Sequence, residues 1–453
     1  MKWTGKIMQS LRRMLLLGAA FAAALSCDRW DPYPTGPATD GSAAAHPSRV
    51  VSPSQRKVLL VYSAGYNSLQ SYLKEDLQDL QTGYIPRGRA KDDVLLVLSH
   101  LTAKAKDYTT PVEPVLYRLY TTSAGEVVSD TLQTYPHGAV TTGDFLAGVL
   151  EYIHERFPAK SYGMVFSSHG SGWCPPGYFN KPEDKYFDTW SWSSAPRRRA
   201  SQKPLSSYWP EAPDGPAVKS VGQEQIGTES FEMTLKEFVS AFPMHFDYIL
   251  FDACLMGGVE VAYEVKDICD QVGFSPAEVL ADGFNYTTLT QHLLESEMPD
   301  PKAVCEEYFN SYNQRSGSNR SATITLVNCA GMDALSATCK TLFETYREPI
   351  AAIDYKKVQN FGRRMADGGD RSWFFDLYDV FVKAGATAED LAALQTALDG
   401  CMIYKAATPV LLGSIPIRSY SGLTTYLPAY GTEYQDSYYK EHISWNQATE
   451  FIK

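Results

Sequence analysis

The sequence predicts an α/β fold with a mostly parallel central sheet and helices on both of its faces. From Arg56 onward, short apolar runs of strand length alternate with amphipathic segments of helical length, the pattern of parallel strands joined by helical crossovers. Several of these runs carry no polar face, as expected for strands that are covered on both sides. The chain is 44% hydrophobic and 13% aromatic, which is enough apolar material for a large core and excludes global disorder.

The elements follow in chain order from this alternation. Lys57–Ser63 is a buried strand, and a small-residue turn leads from it into a helix at Leu69–Leu80. Asp144–Phe157 is predicted to be a helix because its apolar residues recur at helical spacing. The remaining predicted strands are Asp93–Ser99, Val115–Tyr120, Glu278–Ala281, Ser321–Val327, Gly422–Leu427 and the runs Gly163–Gly170 and Phe246–Cys254. The remaining predicted helices are Ser230–Phe242, Leu255–Cys269, 301–314, 331–346, 373–383 and 388–401.

The N-terminus resembles a bacterial lipoprotein signal. Several basic residues precede the apolar stretch Met14–Leu25, which is too short to span a bilayer, and small residues lead directly into Cys27. The resemblance implies that Cys27 is lipidated and becomes the mature N-terminus. The alternative is an ordinary secretory signal that is cut near Ser26. Either reading predicts export, and the first predicts a lipid anchor in a bacterial membrane, on the periplasmic or the cell-surface face.

Composition divides the chain further. Residues 28–54 are rich in Pro, Gly, Ser and Ala and lack periodicity, which is typical of a flexible tether. We therefore predict a signal peptide at 1–26, a tether at 27–54, and a folded α/β core at 55–330 that contains a long loop at 171–222. Residues 331–453 are predicted to form a C-terminal helical elaboration with a late strand, integral to the core.

Charge and cysteine usage restrict the partners. The formal net charge is −11, and removing residues 1–26, which carry four basic residues and no acid, takes it to −15 (−11 − 4). This argues against nucleic acid or an anionic membrane surface as the main partner and suits a cationic substrate. The eight cysteines show no CxxC and no metal-finger spacing, so we expect mostly buried thiols and no metal site.

Two of the apolar runs end in residues that could act in catalysis. Gly163–Gly170 ends with His169, and Phe246–Cys254 ends with Cys254. Parallel strands deliver such residues to the carboxyl edge of the sheet, and an imidazole beside a thiol is the minimum machinery for a cysteine nucleophile. A helix starting just after Cys254 would favour its thiolate, and the amides of Gly170 and Cys254 are candidate oxyanion donors. Spacing alone leaves a structural role for either residue open.

The motifs around these two residues resemble those of clostripain-type cysteine peptidases. The matching segments are Ser168–Gly170 followed by Gly172-Trp173, Asp252–Met256, Val259–Glu264, Asp282–Tyr286, Phe375–Tyr378 and Gly422–Pro428. The resemblance covers roughly residues 56–430. It implies the caspase-like α/β/α sandwich that this family shares with gingipain, legumain and caspase.

The same resemblance implies roles for individual residues. Cys254 would attack the peptide carbonyl and His169 would carry the proton, with no metal or other cofactor. Members of the family cut after Arg or Lys, using acidic residues at the base of the first substrate pocket, and the matching positions are Asp282 and Asp252. A carboxylate offers arginine a bidentate partner. Asp252 is equally compatible with a role in forming the turn at its strand end.

The resemblance also draws attention to the loop between the two predicted catalytic residues. Such enzymes are often made as inactive precursors that are cut there, and the separation is long, 254 − 169 = 85 positions. The basic residues that offer cleavage sites are Arg197, Arg198, Arg199, Lys203 and Lys219. We predict self-cleavage after one of them. A basic cluster that is merely solvated is the alternative.

These observations predict an exported, lipid-anchored cysteine endopeptidase that acts on proteins or peptides with basic residues. Its expected contact with a membrane is the N-terminal anchor only, and no nucleic acid is expected; the oligomeric state stays open. The motifs of serine hydrolases, zinc peptidases and nucleotide-binding enzymes do not occur in the sequence. The alternative function is a catalytically silent surface lipoprotein that uses the same fold to bind proteins or peptides.

Overall fold

Nine strands form the central sheet in the computed structural model, which describes residues 56–89, 92–174, 218–219, 222–362, 373–428 and 433–453. The strands are β1 Lys57–Gly65, β2 Val94–Leu101, β3 Val115–Thr121, β4 Val127–Thr134, β5 Ser161–Ser167, β6 Phe246–Asp252, β7 Cys269–Phe274, β8 Thr323–Asn328 and β9 Met402–Ala407. The predicted signal peptide, Cys27, the tether up to residue 54, and the residues Arg197, Arg198, Arg199 and Lys203 lie outside the described ranges.

The strand order is β9-β8-β7-β6-β5-β1-β2-β3-β4. The five central strands, β7, β6, β5, β1 and β2, are parallel to one another. The flanking pairs are antiparallel, β8 and β9 on one side and β3 and β4 on the other. The prediction of an α/β fold with a mostly parallel central sheet is thus confirmed.

Helices flank this sheet, and their ends follow local sequence signals. Thr142 caps the second helix by accepting a hydrogen bond from the Phe145 amide, and Thr234 forms a capping box with Glu237 at the third. None of the helices within the described ranges is long and apolar enough to cross a membrane. The helices are α1 Gln70–Leu80, α2 Gly143–Arg156, α3 Leu235–Ser240, α4 Val259–Val265, α5 Tyr286–Thr290, α6 Pro301–Asn313, α7 Met332–Ala351, α8 Leu377–Lys383, α9 Ala388–Cys401, α10 Glu433–His442 and α11 Ser444–Thr449.

Shorter elements complete the described chain. A π-helical turn, Gln291–Glu295, follows α5, and 3-10 turns occur at Gly317–Asn319, Cys329–Gly331 and Tyr355–Lys357. The two-residue and four-residue strands outside the central sheet are Val218–Lys219, Gln223–Ile226, Glu229–Glu232, Val279–Leu280, Phe375–Asp376, Val410–Leu411, Ile415–Pro416 and Thr424–Thr425.

The core lies where the apolar runs of the sequence meet. All residues of β1 and β5 are buried, and α2 turns Leu146, Val149 and Ile153 onto the sheet. Each fully buried aliphatic side chain stabilises the fold by roughly 1.5–3 kcal/mol. The centre of the sheet is therefore a rigid platform for the residues at its edge.

The predicted helix Leu255–Cys269 is wrong at both ends. Leu255 adopts a left-handed backbone with φ 58°, which no helix accommodates, so α4 begins only at Val259. Cys269 then opens strand β7, and the predicted helix included only this first residue of it; residues 270–274 were assigned to no element, because Asp, Gln and Gly interrupt the apolar run. The predicted helix Ser230–Phe242 also starts too early, since Glu229–Glu232 pairs with Gln223–Ile226 in a hairpin.

Two predicted strands are much shorter than expected and lie outside the central sheet. Val279–Leu280 pairs with Val218–Lys219, and Thr424–Thr425 pairs with Phe375–Asp376. Strands β4 and β9 were not predicted. Both are edge strands, and β4 alternates between exposed and half-buried residues instead of forming an apolar run.

Candidate active site

Strands β5 and β6 bring His169 and Cys254 to one edge of the sheet. The two strands are parallel neighbours, and their last paired positions are Ser167 and Asp252. His169 and Cys254 each lie two residues beyond that pair. Parallel pairing in this register therefore places both predicted catalytic residues at the carboxyl edge.

Gly170 packs directly on the backbone of Cys254. A Cβ atom at position 170 would lie 1.9 Å from the carbonyl oxygen of Cys254 and 2.4 Å from its amide nitrogen. No side chain fits into such a gap, so glycine is required for the two strand ends to approach this closely. The turn that carries His169 is thereby held against the residue that carries the thiol.

His169 is 7% exposed, and its ring has a polar contact with a residue beyond the neighbouring strand. Its Nε2 atom lies 2.9 Å from the hydroxyl oxygen of Ser68, which follows β1. In the same turn, the Ser168 hydroxyl donates to the carbonyl oxygen of Ala64 at 2.8 Å. The imidazole is therefore oriented by residues beyond β1 as well as by its own turn.

The side chain of Cys254 is fully buried, with 0% exposure. Its Sγ atom accepts a hydrogen bond from the Val279 amide at 3.3 Å and lies 3.7 Å from the Val279 carbonyl oxygen. The sulfur can therefore donate to the carbonyl as a thiol and accept from the amide. The predicted stabilisation by a helix that starts just after Cys254 is not available, because α4 begins five positions later, at Val259. The donor is the strand Val279–Leu280 instead.

Asp252 is buried beneath the turn that follows Asp282. Its carboxylate accepts hydrogen bonds from the Tyr286 hydroxyl at 3.0 Å and the Phe284 amide at 3.4 Å. A Cβ atom on Gly283, whose φ is 58°, would lie 2.2 Å from the carboxylate. Burial, and then the negative charge of Asp252, raise the pKa of Tyr286 well above its usual value. Asp252 thus organises this turn.

Asp282 is 58% exposed and already holds a guanidinium of the same chain. Its Oδ2 atom accepts a hydrogen bond from Arg315 Nη1 at 2.6 Å, and the Arg315 guanidinium lies 4.0 Å from the centre of the Tyr312 ring. The Tyr312 hydroxyl donates to the Gly283 carbonyl at 2.9 Å. Sequence reasoning did not anticipate Arg315, whose partner lies 33 residues earlier in the chain.

Ser68 and Val279 were also missed. Ser68 follows the carboxyl end of β1, the strand beside β5, and that position was the available signal, since polar residues at neighbouring strand ends meet at one edge. Val279 contributes through its backbone amide, so the identity of its side chain gives no indication of this role. Its role depends on a turn that brings residues 277–280 back over Cys254.

No metal centre is evident in the part of the chain that the structure describes. Within those ranges no three His, Cys, Asp or Glu residues are grouped so that they could hold an ion. The seven described cysteines are buried and form no disulfide, although the Sγ atoms of Cys269 and Cys329 lie 3.8 Å apart.

Comparisons with known proteins identify the family and the fold. The sequence profile of the clostripain family matches residues 61–191 and 207–447. The fold is similar to that of the inactive zymogen of a C11 protease from Parabacteroides distasonis, with 24% identity, a TM-score of 0.67, and coverage of 88% of this chain and 99% of the other. It is also similar to a secreted C11 cysteine protease from Bacteroides thetaiotaomicron bound to an irreversible peptide inhibitor, with 23% identity, a TM-score of 0.66, and coverage of 87% and 99%. No curated sequence matches the chain. By its match to the family profile over most of its length, the chain belongs to the clostripain family of cysteine peptidases.

Proposed function

We propose that this cysteine peptidase is an endopeptidase that cleaves after Arg or Lys through a dyad of Cys254 and His169. The observation that carries the proposal is the contact of Gly170 with the Cys254 backbone, together with the register that ends β5 and β6 side by side. The Cys254 thiolate adds to the peptide carbonyl carbon, and His169 gives a proton to the leaving amine. Water, deprotonated by His169, then hydrolyses the thioester and restores the thiol.

The tetrahedral oxyanion needs donors at the same edge of the sheet. The backbone amides of Gly170 and Cys254 belong to two segments in van der Waals contact, which brings both to the same strand ends. Donors fixed in advance by the fold stabilise the developing charge without reorganisation. This supports their assignment as the oxyanion site.

Specificity for a basic residue rests on Asp282 and Asp252. Both carboxylates border the turn at residues 283–286, close to the Cys254 strand. The pairing of Arg315 with Asp282 supports the proposal, since it demonstrates that a guanidinium fits there with aromatic stacking. A substrate cation would compete with Arg315 for Asp282.

Self-activation by cleavage in the 171–222 loop completes the proposal. Arg197, Arg198, Arg199 and Lys203 remain candidate sites. Support for an uncut resting form comes from the far end of the loop, where the backbone of Val218–Lys219 pairs with Val279–Leu280, the strand that contacts Cys254 Sγ. With the thiol fully buried, a substrate can reach it only after this region rearranges.

Hydrolysis of fluorogenic peptides that end in Arg or Lys tests the activity. We expect turnover by the wild type and none by Cys254→Ala or His169→Ala, and little turnover of matched Asn or Asp reporters. If no reporter of any kind is cleaved after processing, the silent binding protein becomes the better account.

Intact-mass analysis tests the processing step. Cys254→Ala should remain uncut, and a variant with alanine at Arg197, Arg198, Arg199 and Lys203 should remain uncut if one of these is the site. A Lys219→Ala variant is the matched comparison, because Lys219 is the basic residue whose backbone pairs beside the nucleophile. An enzyme that is fully active without any cut would rule out self-activation.

We further propose that Cys27 carries a lipid and anchors the protein to a bacterial membrane after export. Mass spectrometry of the mature N-terminus and detergent phase partitioning of wild type and Cys27→Ala test this directly. A mature chain that begins near Ser26 with an unmodified Cys27 would favour the ordinary secretory signal.

A further inference from the structure

We propose that Ser68 is a positioning residue for His169, acting through a hydrogen bond between its hydroxyl and the Nε2 atom of the imidazole. The two atoms lie 2.9 Å apart, within the range of a well-formed hydrogen bond. The proposal rests on the assignment of His169 as the proton carrier. It adds a third side chain from the turn after β1 to a site otherwise built from the ends of β5 and β6.

The turn that carries Ser68 is fastened on both sides. Strands β1 and β5 pair up to Ser63 and Ser167. Beyond that pair, the Ala64 carbonyl oxygen accepts hydrogen bonds from the Ser168 hydroxyl at 2.8 Å and from the Asn67 amide group at 3.1 Å. One carbonyl thus connects the Ser68 turn to the His169 turn.

Asn67 also fixes the far side of the turn. Its Oδ1 atom accepts a hydrogen bond from the Leu69 amide at 2.8 Å, at the residue that leads into α1. Its Nδ2 atom donates to the Gln223 carbonyl at 2.6 Å. Ser68 lies between these anchored neighbours, so its backbone is held in place and only its own side-chain rotamer has to be ordered for the hydroxyl to meet the imidazole.

The Ser68 hydroxyl can donate or accept a hydrogen bond, so it is the proposed role of His169 as proton carrier that assigns the proton to Nε2. A neutral imidazole has one donor and one acceptor nitrogen, and the hydrogen bond made by one nitrogen decides the state of the other. If the Nε2 proton is donated to the Ser68 oxygen, Nδ1 carries the lone pair that takes the proton from the thiol. The same Nε2 donor remains in place when the ring is protonated, so the ring need not turn during the reaction.

The side chain of Ser68 is exposed, and this makes a positioning role separable from a structural one. Removing its hydroxyl leaves no buried cavity, so Ser68→Ala should unfold like the wild type. Ser68→Thr retains the hydroxyl. Ser71→Ala is the matched control, because Ser71 is an exposed serine three residues later, on α1.

The first experiment measures kcat and KM of the processed enzyme with an Arg reporter. We expect Ser68→Ala to lower kcat about three- to tenfold, the loss typical of one hydrogen bond, with KM within about twofold. Ser68→Thr should recover most of the rate and Ser71→Ala should match the wild type. Unchanged kcat in Ser68→Ala overturns the proposal, as does an equal loss in Ser68→Thr accompanied by a lower unfolding midpoint.

The second experiment does not depend on turnover. Nitrogen-15 NMR of histidine-labelled Cys254→Ala protein, with His169→Gln to assign the signal, reads the tautomer of His169. We expect a single Nε2–H tautomer that becomes a mixture when Ser68→Ala is added. An Nδ1–H tautomer, or no change on adding Ser68→Ala, overturns the proposal. Failure of the reporter assay alone would count against the proposed peptidase activity and leave this readout intact.

Discussion

Glu260 is a buried acid whose protonation should control stability near neutral pH. Its side chain is 0% exposed, and it accepts hydrogen bonds from the Tyr439 hydroxyl at 2.8 Å and the Tyr426 amide at 2.9 Å. Burial raises its pKa from 4.5 to about 7, although these hydrogen bonds act in the opposite direction. Glu260 lies in the first turn of α4 and connects it to the C-terminal segment of the chain.

The sign of the effect follows from which state releases the proton first. Between pH 4.5 and about 7 the unfolded chain has lost the proton of Glu260 and the folded chain still holds it. Stability from this group is therefore complete below pH 4.5 and is lost as the pH rises through about 7. At about 1.36 kcal/mol per pKa unit, the full loss corresponds to about 3 kcal/mol.

Urea unfolding of wild type and Glu260→Gln at pH 5 and pH 8.5 measures this loss. Glutamine keeps the shape of the side chain and can accept from Tyr439 and Tyr426, but it carries no charge. We expect the free energy of unfolding of the variant, relative to wild type, to rise by about 2–3 kcal/mol between the two pH values. Glu75→Gln, an exposed site on α1, is the control and should show no such change. An equal difference at both pH values for Glu260→Gln would refute the reasoning.

Two further predictions concern the site itself. Gly170→Ala places a Cβ atom 1.9 Å from the Cys254 carbonyl oxygen. We therefore expect kcat/KM to fall about a hundredfold or more and the free energy of unfolding to fall by about 1–3 kcal/mol. Near-normal kinetics would contradict the close packing. Arg315→Ala removes the internal partner of Asp282, and KM for an Arg reporter should fall about two- to fivefold with kcat unchanged. Arg320→Ala, which interrupts contacts to a neighbouring asparagine only, is its control, and an unchanged KM in Arg315→Ala would argue against Asp282 as the substrate carboxylate.

The parallel centre of the sheet was predictable because its strands are buried on both faces. The strands β1, β2, β5 and β6 are nearly continuous in apolar residues. This pattern can be recognised in the sequence without knowing which strands pair with each other. Strand β7 was not predicted, because Asp270, Gln271 and Gly273 interrupt its apolar pattern. It is held in the sheet by pairing with β6 and β8, an interaction that a local pattern does not contain.

The positions of His169 and Cys254 were predictable for a related reason, since each follows a run whose direction in a parallel sheet is known. The contacts that surround them were not. The Val279 amide reaches Cys254 Sγ only because residues 277–280 fold back over the end of β6. Arg315, which pairs with Asp282, lies just after the C-terminus of α6. Such contacts depend on tertiary geometry, which residue type and spacing do not encode.

The anchoring of the chain after the 171–222 loop limits what a cut in that loop can do. The buried Glu224 side chain is hydrogen-bonded to His100, with Oε1 2.7 Å from Nδ1, and its other oxygen accepts a hydrogen bond from the Val140 amide. The Asn67 side chain holds the Gln223 carbonyl beside the Ser68 turn. These bonds lie downstream of every proposed cleavage site, so we expect them to persist after cleavage and to keep residues 223–226 against Asn67 and His100. The pairing of β5 with β6 joins the two resulting fragments as well. We therefore expect cleavage to alter the approach to Cys254, while the contact of Ser68 with His169 and the packing of Gly170 on Cys254 stay as they are in the uncut chain.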